Sequence, residues 1–361
     1  MKRIILFVLI IIGFQICGGD NAISQWSSFD SATHALLAQG IHQVHIEEYE
    51  SAIETFEKLI DLYPQNPVGY FCTAAVYQII MRNYRINLFE AQFDSLISFG
   101  IQIGENAIRK DREDALSHFY LGGAYGYMGL HKLRKRDWFG AFNDGRKGVS
   151  NLHRAVEIEP RLYDAYLGLG IYHYWRSVKV KILRFLPFFR NDRQKGIDEI
   201  WSAISKGRYT NIEGKYAMIE IYYNEKNYPM ALSLNQELYE LFPTNPACLY
   251  MRSRIFERQE KWEEAKNTSQ QLLEHLLASE HRSIGYEVEC HYRIANCLYK
   301  LGDLEQALVH VKKAIDLKGK REASKEIEGP LENFEEISKK AVQLYNEIIK
   351  QDSYIPCREN Y

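Results

Sequence analysis

The residue types that bind metals or phosphate occur in this sequence, but their spacing does not fit such sites. His42 and His45 stand at i and i+3 close to His34, without a carboxylate at ligand spacing, which is weak support for zinc. The glycine-rich stretch LGGAYGYMG, residues 121–129, lacks the Lys-Ser/Thr that follows a phosphate-binding loop. No nucleophile, acid–base pair or cofactor fingerprint is readable. We therefore predict a non-enzymatic protein with no catalytic residue, metal, cofactor or small-molecule substrate.

The cysteines do not form a readable disulfide framework. Past residue 24 they are five in number, namely Cys72, Cys248, Cys290, Cys297 and Cys357. Cys290 and Cys297 are seven residues apart, roughly 10 Å along a helix, which is too far for a bridge. We predict that most of the five are small buried hydrophobic residues. A bridge between distant cysteines stays open, because the chain carries an export pattern.

That export pattern occupies the first 24 residues. Lys2 and Arg3 precede an apolar run, residues 4–12, that is too short to span a bilayer and resembles a secretory signal. Cleavage after Ser24 would release the protein, whereas lipidation of Cys17 would make a bacterial lipoprotein whose signal ends at residue 16. An uncleaved anchor is a third route. Each route exports the rest of the chain, so we expect it in the bacterial periplasm or cell envelope.

Composition narrows the class of protein further. The chain has 45 Lys+Arg against 47 Asp+Glu, so there is no basic excess of the kind that nucleic-acid binding requires. It holds only 9 Pro, which favours helices, and as many as 25 Tyr. These numbers predict a helical protein that does not bind nucleic acid.

Internal repeats organise the chain beyond the export pattern. Residues 33–66 place Gly40, Ala52 and Pro64 at the spacing of a 34-residue helix-turn-helix unit. The small residue of the second helix recurs as Ala52, Gly100, Gly148, Gly196, Ala231, Ala265 and Ala307. Its first three steps are each 48 residues and the next two are 35 and 34, so three consecutive units carry an insert. Small residues let the two helices of a unit cross closely.

This pattern resembles the tetratricopeptide repeat family. The resemblance implies an all-α, right-handed superhelical solenoid of about seven helix-turn-helix hairpins with a C-terminal capping helix. We place the array at residues 25–317, with elongated hairpins near 67–210. A charged linker at 318–330, a capping helix at 331–351 and a loose tail at 352–361 follow.

In that family the first helix of each repeat lines a concave groove, so the resemblance also implies a partner site. The residues at those positions are Phe119, Tyr127, Tyr174, Trp175, Tyr216, Tyr223, Tyr250, Arg254, Arg258, Tyr292, Asn296 and Tyr299. Tyr and Arg give large contact areas with polar tips, which suits an extended peptide or a partner helix. The alternative is that Tyr is tolerated at half-buried helix joints without binding anything.

The inserts of the three elongated hairpins are basic and aromatic, and turns of one class emerge along one edge of a solenoid. We therefore expect a shared rim that includes Arg82, Arg85, Trp138 and Phe142, together with Lys132, Arg134, Lys135, Arg136, Lys179, Lys181, Arg184, Phe185, Phe188 and Phe189. Three roles are open for it: packing between the tall hairpins, contact with an anionic membrane surface, and docking of an acidic partner.

One insert carries a second resemblance. LRFLPFFRNDRQKGIDEI, residues 183–200, is similar to a segment of the eukaryotic tetratricopeptide-repeat family related to the fungal inclusion-body clearance protein and to outer mitochondrial membrane relatives. That family implies a scaffold tied to intracellular membranes or lipid droplets. Since this chain carries an export pattern, we take over the fold from that resemblance and not the location.

Overall fold

The computed structural model describes residues 29–179 and 191–353, and in this part the chain folds into fifteen α-helices. Fourteen of them pair as seven hairpins: α1 (Ser31–His45) with α2 (Tyr49–Leu62), α3 (Pro67–Tyr84) with α4 (Glu90–Lys110), α5 (Ala115–Arg134) with α6 (Trp138–Ile158), α7 (Ala165–Lys179) with α8 (Arg193–Lys206), α9 (Asn211–Asn224) with α10 (Tyr228–Leu241), α11 (Pro246–Arg258) with α12 (Trp262–Ala278), and α13 (Ile284–Leu301) with α14 (Leu304–Lys318). The last helix, α15 (Phe334–Ser353), packs on the seventh hairpin. The predicted solenoid of seven hairpins with a capping helix is confirmed.

Several predicted features lie outside the described residues. These are the export pattern with Cys17, the insert residues Lys181, Arg184, Phe185, Phe188 and Phe189, and Cys357 in the tail. The side chain of Lys179, at the end of α7, is also outside the description.

The helices begin and end where local chemistry dictates. Asp114 caps α5 by accepting a hydrogen bond from the backbone N–H of Ser117, and Asn245 caps α11 in the same way for Ala247. Pro67 and Pro246 occupy first-turn positions, where a missing N–H costs nothing. In six hairpins the turn between the two helices contains one residue with positive φ. These are Glu47, Arg85, Arg136, Lys226, Glu260 and Gly302.

The small residues of the repeat lie where the helices of one hairpin cross. Gly148 of α6 faces Gly122 of α5, and a Cβ added at residue 148 would meet the carbonyl oxygen of residue 122 at 2.9 Å. Gly196 faces Gly170 equally closely in the next hairpin, at 2.6 Å. At this separation backbone touches backbone, so no larger side chain fits without moving a helix.

The array curves back on itself, so that its first two hairpins contact its last three. Tyr84, at the end of α3, donates a hydrogen bond to Glu47 Oε2 over 2.5 Å, and His275 Nε2 of α12 lies 3.0 Å from the same oxygen. Asn245 Nδ2 donates to the backbone oxygen of His45 over 3.5 Å. The contacts of His275 and Asn245 join residues that are 228 and 200 positions apart in sequence, and they bring the two ends of the concave face together.

The segment between α14 and α15 completes the enclosure. We call residues 319–333 the strap. It forms an isolated antiparallel bridge between Glu326 and Ile86, flanked by hydrogen bonds from Ile327 N to Arg85 O and from Asn87 N to Lys325 O. The Glu326 carboxylate also accepts hydrogen bonds from the backbone N–H groups of Ile284 and Gly285, at the start of α13. A segment whose charge-rich composition predicts a solvated linker is thus fixed against both ends of the array.

Candidate functional site

The main candidate site is the enclosed concave space, which we call the lumen. It is a cavity of about 2410 Å³, lined by the inner helices α1, α3, α5, α7, α9 and α11 and by residues 323–331 of the strap. Residues of α6, among them Trp138 and Phe142, also line it. Ligand pockets for small molecules usually measure roughly 300–1,000 Å³. The lumen therefore has the size to hold a polypeptide segment.

Seven of the twelve predicted groove residues line this lumen. They are Phe119, Tyr127, Trp175, Tyr216, Tyr223, Tyr250 and Arg258. Phe71, which also lines the lumen, packs edge-to-face on Tyr127 with ring centroids 5.4 Å apart. Arg258 Nε donates a hydrogen bond to the Tyr223 hydroxyl over 3.0 Å. The aromatic surface that the repeat positions predict is therefore present, and its rings support one another.

The other five predicted groove residues do not line the lumen. Tyr174 is fully buried and donates a hydrogen bond to Glu225 Oε1 over 2.6 Å, so it acts as a packing residue. Arg254 is buried in ion pairs with Glu257 and Glu332. Tyr292 and Asn296 are half-buried on α13, and Tyr299 farther along that helix accepts a hydrogen bond from Gln351 of α15. At this end of the array the chain's own C-terminal part makes contacts that a partner would otherwise make.

A buried ionic network fixes the strap, and neither the repeat pattern nor local composition predicts it. Arg293 Nη2 lies 2.6 Å from Glu289 Oε1 and 2.5 Å from Glu332 Oε2 of the strap. Arg85 Nη1 donates to the other Glu289 oxygen over 2.5 Å, and its guanidinium stacks 3.6 Å from the centroid of the Tyr286 ring. Burial alone would raise the pKa of Glu289, but the charges of Arg85 and Arg293 lower it to about 2.

The lumen also carries charged side chains that the protein does not pair. Arg82 of α3 and Arg134 of α5 are exposed to the lumen, and no hydrogen bond or ion pair from the described residues engages either guanidinium. Desolvation by the surrounding walls, together with the nearby charge of Arg82, lowers the pKa of Arg134 to about 10. The pKa of Glu220, on the facing helix α9, is raised by desolvation. Arg82, Arg134 and Glu220 all line the lumen, and the charge of Arg82 offsets part of the rise in the pKa of Glu220.

The predicted rim divides into different environments. Lys132 pairs with Asp144 at 2.6 Å and Lys135 pairs with Glu90. Arg134 and Arg136 are exposed, line the lumen and form no ion pair within the described structure. Arg85, which its insert position places on the rim, is buried instead, because its turn docks on α13 and the strap. The exposed apolar part is a group at the start of α6, which we call the α6 tip: Trp138 at 66%, Phe139 at 92% and Phe142 at 72% exposure.

Comparison with known proteins supports the repeat assignment directly. Residues 34–66 and residues 288–320 each match the tetratricopeptide repeat as a family model, one at either end of the array. These two segments are tetratricopeptide repeats, and the seven hairpins of the described structure have the helix-turn-helix architecture of that repeat. A fold of this kind is typically a non-catalytic scaffold for protein interaction. No curated protein matches the chain.

Two solved structures are similar to this chain at low sequence identity. A thermophilic tetratricopeptide-repeat protein of Thermus thermophilus is 17% identical, with a TM-score of 0.39 over 62% of this chain and 97% of that one. The type IV pilus biogenesis factor PilW is 11% identical, with a TM-score of 0.45 over 66% of this chain and 91% of that one. Neither likeness indicates what this chain binds.

The helices across residues 29–179 and 191–353 have no membrane-spanning character. None of them combines the length and the apolar composition that are needed to cross a bilayer.

Proposed function

We propose that this chain is an exported, non-enzymatic scaffold that holds an extended segment or a helix of a partner protein in its lumen. The export pattern in the first 24 residues supports a periplasmic or envelope location. The partner segment would contact the aromatic inner helices, and the inner helices of a tetratricopeptide array suit this mode of recognition.

The observation that carries the proposal is the combination of aromatic walls with unpaired charges inside one large cavity. Arg82 and Arg134 are both exposed within the lumen, and the charge of Arg82 lies close enough to contribute to the lowered pKa of Arg134. A partner segment with an acidic side chain between apolar ones would satisfy both guanidiniums and cover rings such as Tyr127 and Trp175. Charge-assisted contacts of this kind are stronger than neutral hydrogen bonds.

Capture from envelope extract tests the proposal. The bait is the chain from residue 25, compared with a lumen variant carrying Arg82→Ala, Tyr127→Ala and Trp175→Ala. Because central Tyr, Trp and Arg contacts dominate binding energies, the lumen variant should hold its partner at least about tenfold more weakly.

A matched control removes the same number of side chains from the outer helices. Leu62, Leu241 and Val309 are exposed at 57%, 57% and 54%, so their replacement by Ala should leave both folding and capture unchanged. If the lumen variant retains the same partner as the control, the lumen is not the binding site.

A second candidate function rests on the α6 tip. Three large aromatic rings within five residues, beside the exposed Arg136, form the kind of surface that inserts into a lipid interface. In this alternative the chain is a peripheral membrane or lipid-associated protein that works through the rim.

Flotation with vesicles separates the two candidates. Vesicles rich in anionic lipid should carry the chain upward at low salt and lose it at high salt, since the attraction is screened. The variant Phe139→Ser with Phe142→Ser should not float, whereas Leu62→Ser with Leu241→Ser should behave like the unmodified chain. If the unmodified chain does not float at low salt, the membrane role is refuted.

A further inference from the structure

One buried imidazole and two carboxylates converge where the second and third hairpins meet. Glu90 begins α4, Asp94 follows one turn later, and His131 comes from the last turn of α5. His131 Nε2 lies 3.2 Å from Glu90 Oε1 and 3.5 Å from Asp94 Oδ1. The three atoms, each of a type that ligates metals, all lie within 4.8 Å of one another. Two carboxylates this close to one nitrogen require a counter-charge between them.

The separations fit a metal ion as well as they fit ion pairs. Zn²⁺ takes imidazole nitrogen and carboxylate oxygen ligands at about 2.0–2.2 Å in tetrahedral sites. In a tetrahedron of that size, neighbouring ligand atoms lie roughly 3.3–3.6 Å apart. The two contacts of His131, at 3.2 and 3.5 Å, are close to this length, and the two carboxylate oxygens lie within 4.8 Å of each other. An ion could therefore be bound if the carboxylates adjust their positions.

Neighbouring groups already orient two of the three side chains. Asn87 Nδ2 donates to Glu90 Oε2 over 2.9 Å, which leaves Oε1 as the oxygen that faces His131. The His131 ring packs 5.0 Å from the ring of the buried Phe93, and its side chain is only 6% exposed. Contacts of this kind around the ligands are a regular property of metal sites.

Lys135 is the group with which a metal would compete. Its ammonium pairs with Glu90 Oε1, but the side chain is 55% exposed and sits on a flexible stem. Asp94 is 44% exposed, so the cluster is open to solvent on that side. A divalent ion could therefore enter from solvent and displace one ammonium.

We propose that Glu90, Asp94 and His131 form a binding site for a divalent cation of the Zn²⁺ class, which links α4 to α5. His131 and Lys135 also line the lumen, so the site lies at its edge. Three protein ligands leave a fourth position for water. The site was not predictable from spacing, because 41 residues separate His131 from Glu90.

Calorimetric titration of the chelator-treated chain with Zn²⁺ tests the site. We expect one ion per chain to bind with a dissociation constant in the micromolar range or below. Asp94→Asn, at an exposed position that should not disturb folding, should weaken binding at least tenfold, and His131→Asn should do the same. Lys135→Gln should tighten it severalfold, because the competing ammonium is gone.

The matched control concerns a pair of histidines outside the proposed site. His291 and His310 lie with their Nδ1 atoms 3.0 Å apart, far from the site in sequence, and could bind zinc adventitiously. His310→Asn should leave the affinity of the proposed site unchanged. The proposal fails if Asp94→Asn and His131→Asn bind Zn²⁺ as the unmodified chain does. It also fails if neither the unmodified chain nor Lys135→Gln shows saturable binding up to about 1 mM Zn²⁺, the range of very weak affinity.

Discussion

Arg85 Nη1 and Glu289 Oε2 are 2.5 Å apart although 204 positions separate the two residues. Both side chains are buried, and the Arg85 backbone also accepts a hydrogen bond from Ile327 of the strap. This pair therefore ties the second hairpin, the seventh hairpin and the strap into one closed body. The lumen depends on that closure, because without it the concave face would be an open groove.

Removing one partner of this pair should be strongly destabilising. Arg85→Ala leaves the Glu289 carboxylate buried beside Arg293 alone, and breaking a buried pair costs about 3–5 kcal/mol in free energy of unfolding. Arg154→Ala, which breaks exposed pairs with Glu113 and Glu157, should cost only about 0–1 kcal/mol. Urea unfolding of both variants measures the difference. Equal losses would mean that the pair does not hold the array closed.

The strap should detach in acid. Glu332 of the strap and Glu289 of α13 both contact Arg293. Each of these carboxylates has a pKa lowered to about 2, since the charges of the neighbouring arginines outweigh the effect of burial. A carboxylate whose pKa is lowered in the folded state stabilises that state. The stabilisation is fully present above the ordinary carboxylate pKa of 4.5 and is lost as the pH falls towards 2. The protection of residues 323–331 against hydrogen exchange, taken relative to the intrinsic rate at each pH, should therefore fall between those two values.

The variant Glu289→Gln provides the comparison for this acid transition. It lacks one of the two titrating groups, so exchange in its strap should be faster at neutral pH and should change less on acidification. A variant as pH-dependent as the unmodified chain would contradict the assignment of the transition to Glu289.

Two glycines of α6 should respond in opposite directions to Ala. At Gly148 the new methyl would meet the Gly122 oxygen at 2.9 Å and the Gly126 nitrogen at 3.1 Å, so we expect a loss of about 1–3 kcal/mol in unfolding free energy. At Gly145 nothing lies within 4 Å, and the better helix former should add about 0.5–1 kcal/mol. Thermal unfolding of the two variants checks the sign, and a stabilised Gly148→Ala protein would show that the close crossing is absent.

The cysteines in the described part should be unreactive until the protein unfolds. Cys72, Cys248, Cys290 and Cys297 are buried free thiols, as predicted, and burial raises the pKa of each to about 12. Thiolate is the reactive form. With Cys17 and Cys357 replaced by Ser, a thiol reagent at neutral pH should label fewer than one group in the native chain and four in urea. Rapid native labelling would contradict the buried positions.

The repeat pattern predicts the local architecture because it depends on neighbours in sequence. Small residues such as Gly148 and Gly196 mark crossings of two helices, and the left-handed turn seen in six hairpins of the described structure depends on a few residues only. The aromatic lining of the lumen follows in the same way, since Phe119 and Tyr216 occupy equivalent repeat positions.

Closure could not be predicted, because it depends on contacts between distant parts of the chain. The basic and aromatic setting of Arg85 indicates an exposed rim, whereas its turn lies against α13. Composition equally predicts a charged linker where Glu326 is bound by the backbone of Ile284 and Gly285, about 40 positions away in sequence. Repeat position does not by itself predict which surface a side chain contacts. Tyr174 belongs to an inner helix, but its side chain lies in the joint of the hairpin rather than in the lumen.

Site-specific photo-crosslinking in the exporting cell tests the central claim, that the lumen holds a partner segment, most directly. A photoreactive phenylalanine replaces Phe119 in the lumen, Phe139 on the α6 tip or Phe99 on the outer helix α4, which is 47% exposed. We predict one discrete protein adduct from position 119, absent from position 99 and lost when Arg82→Ala is added. Adducts of equal yield from positions 99 and 119, or adducts from position 139 alone, would contradict the account.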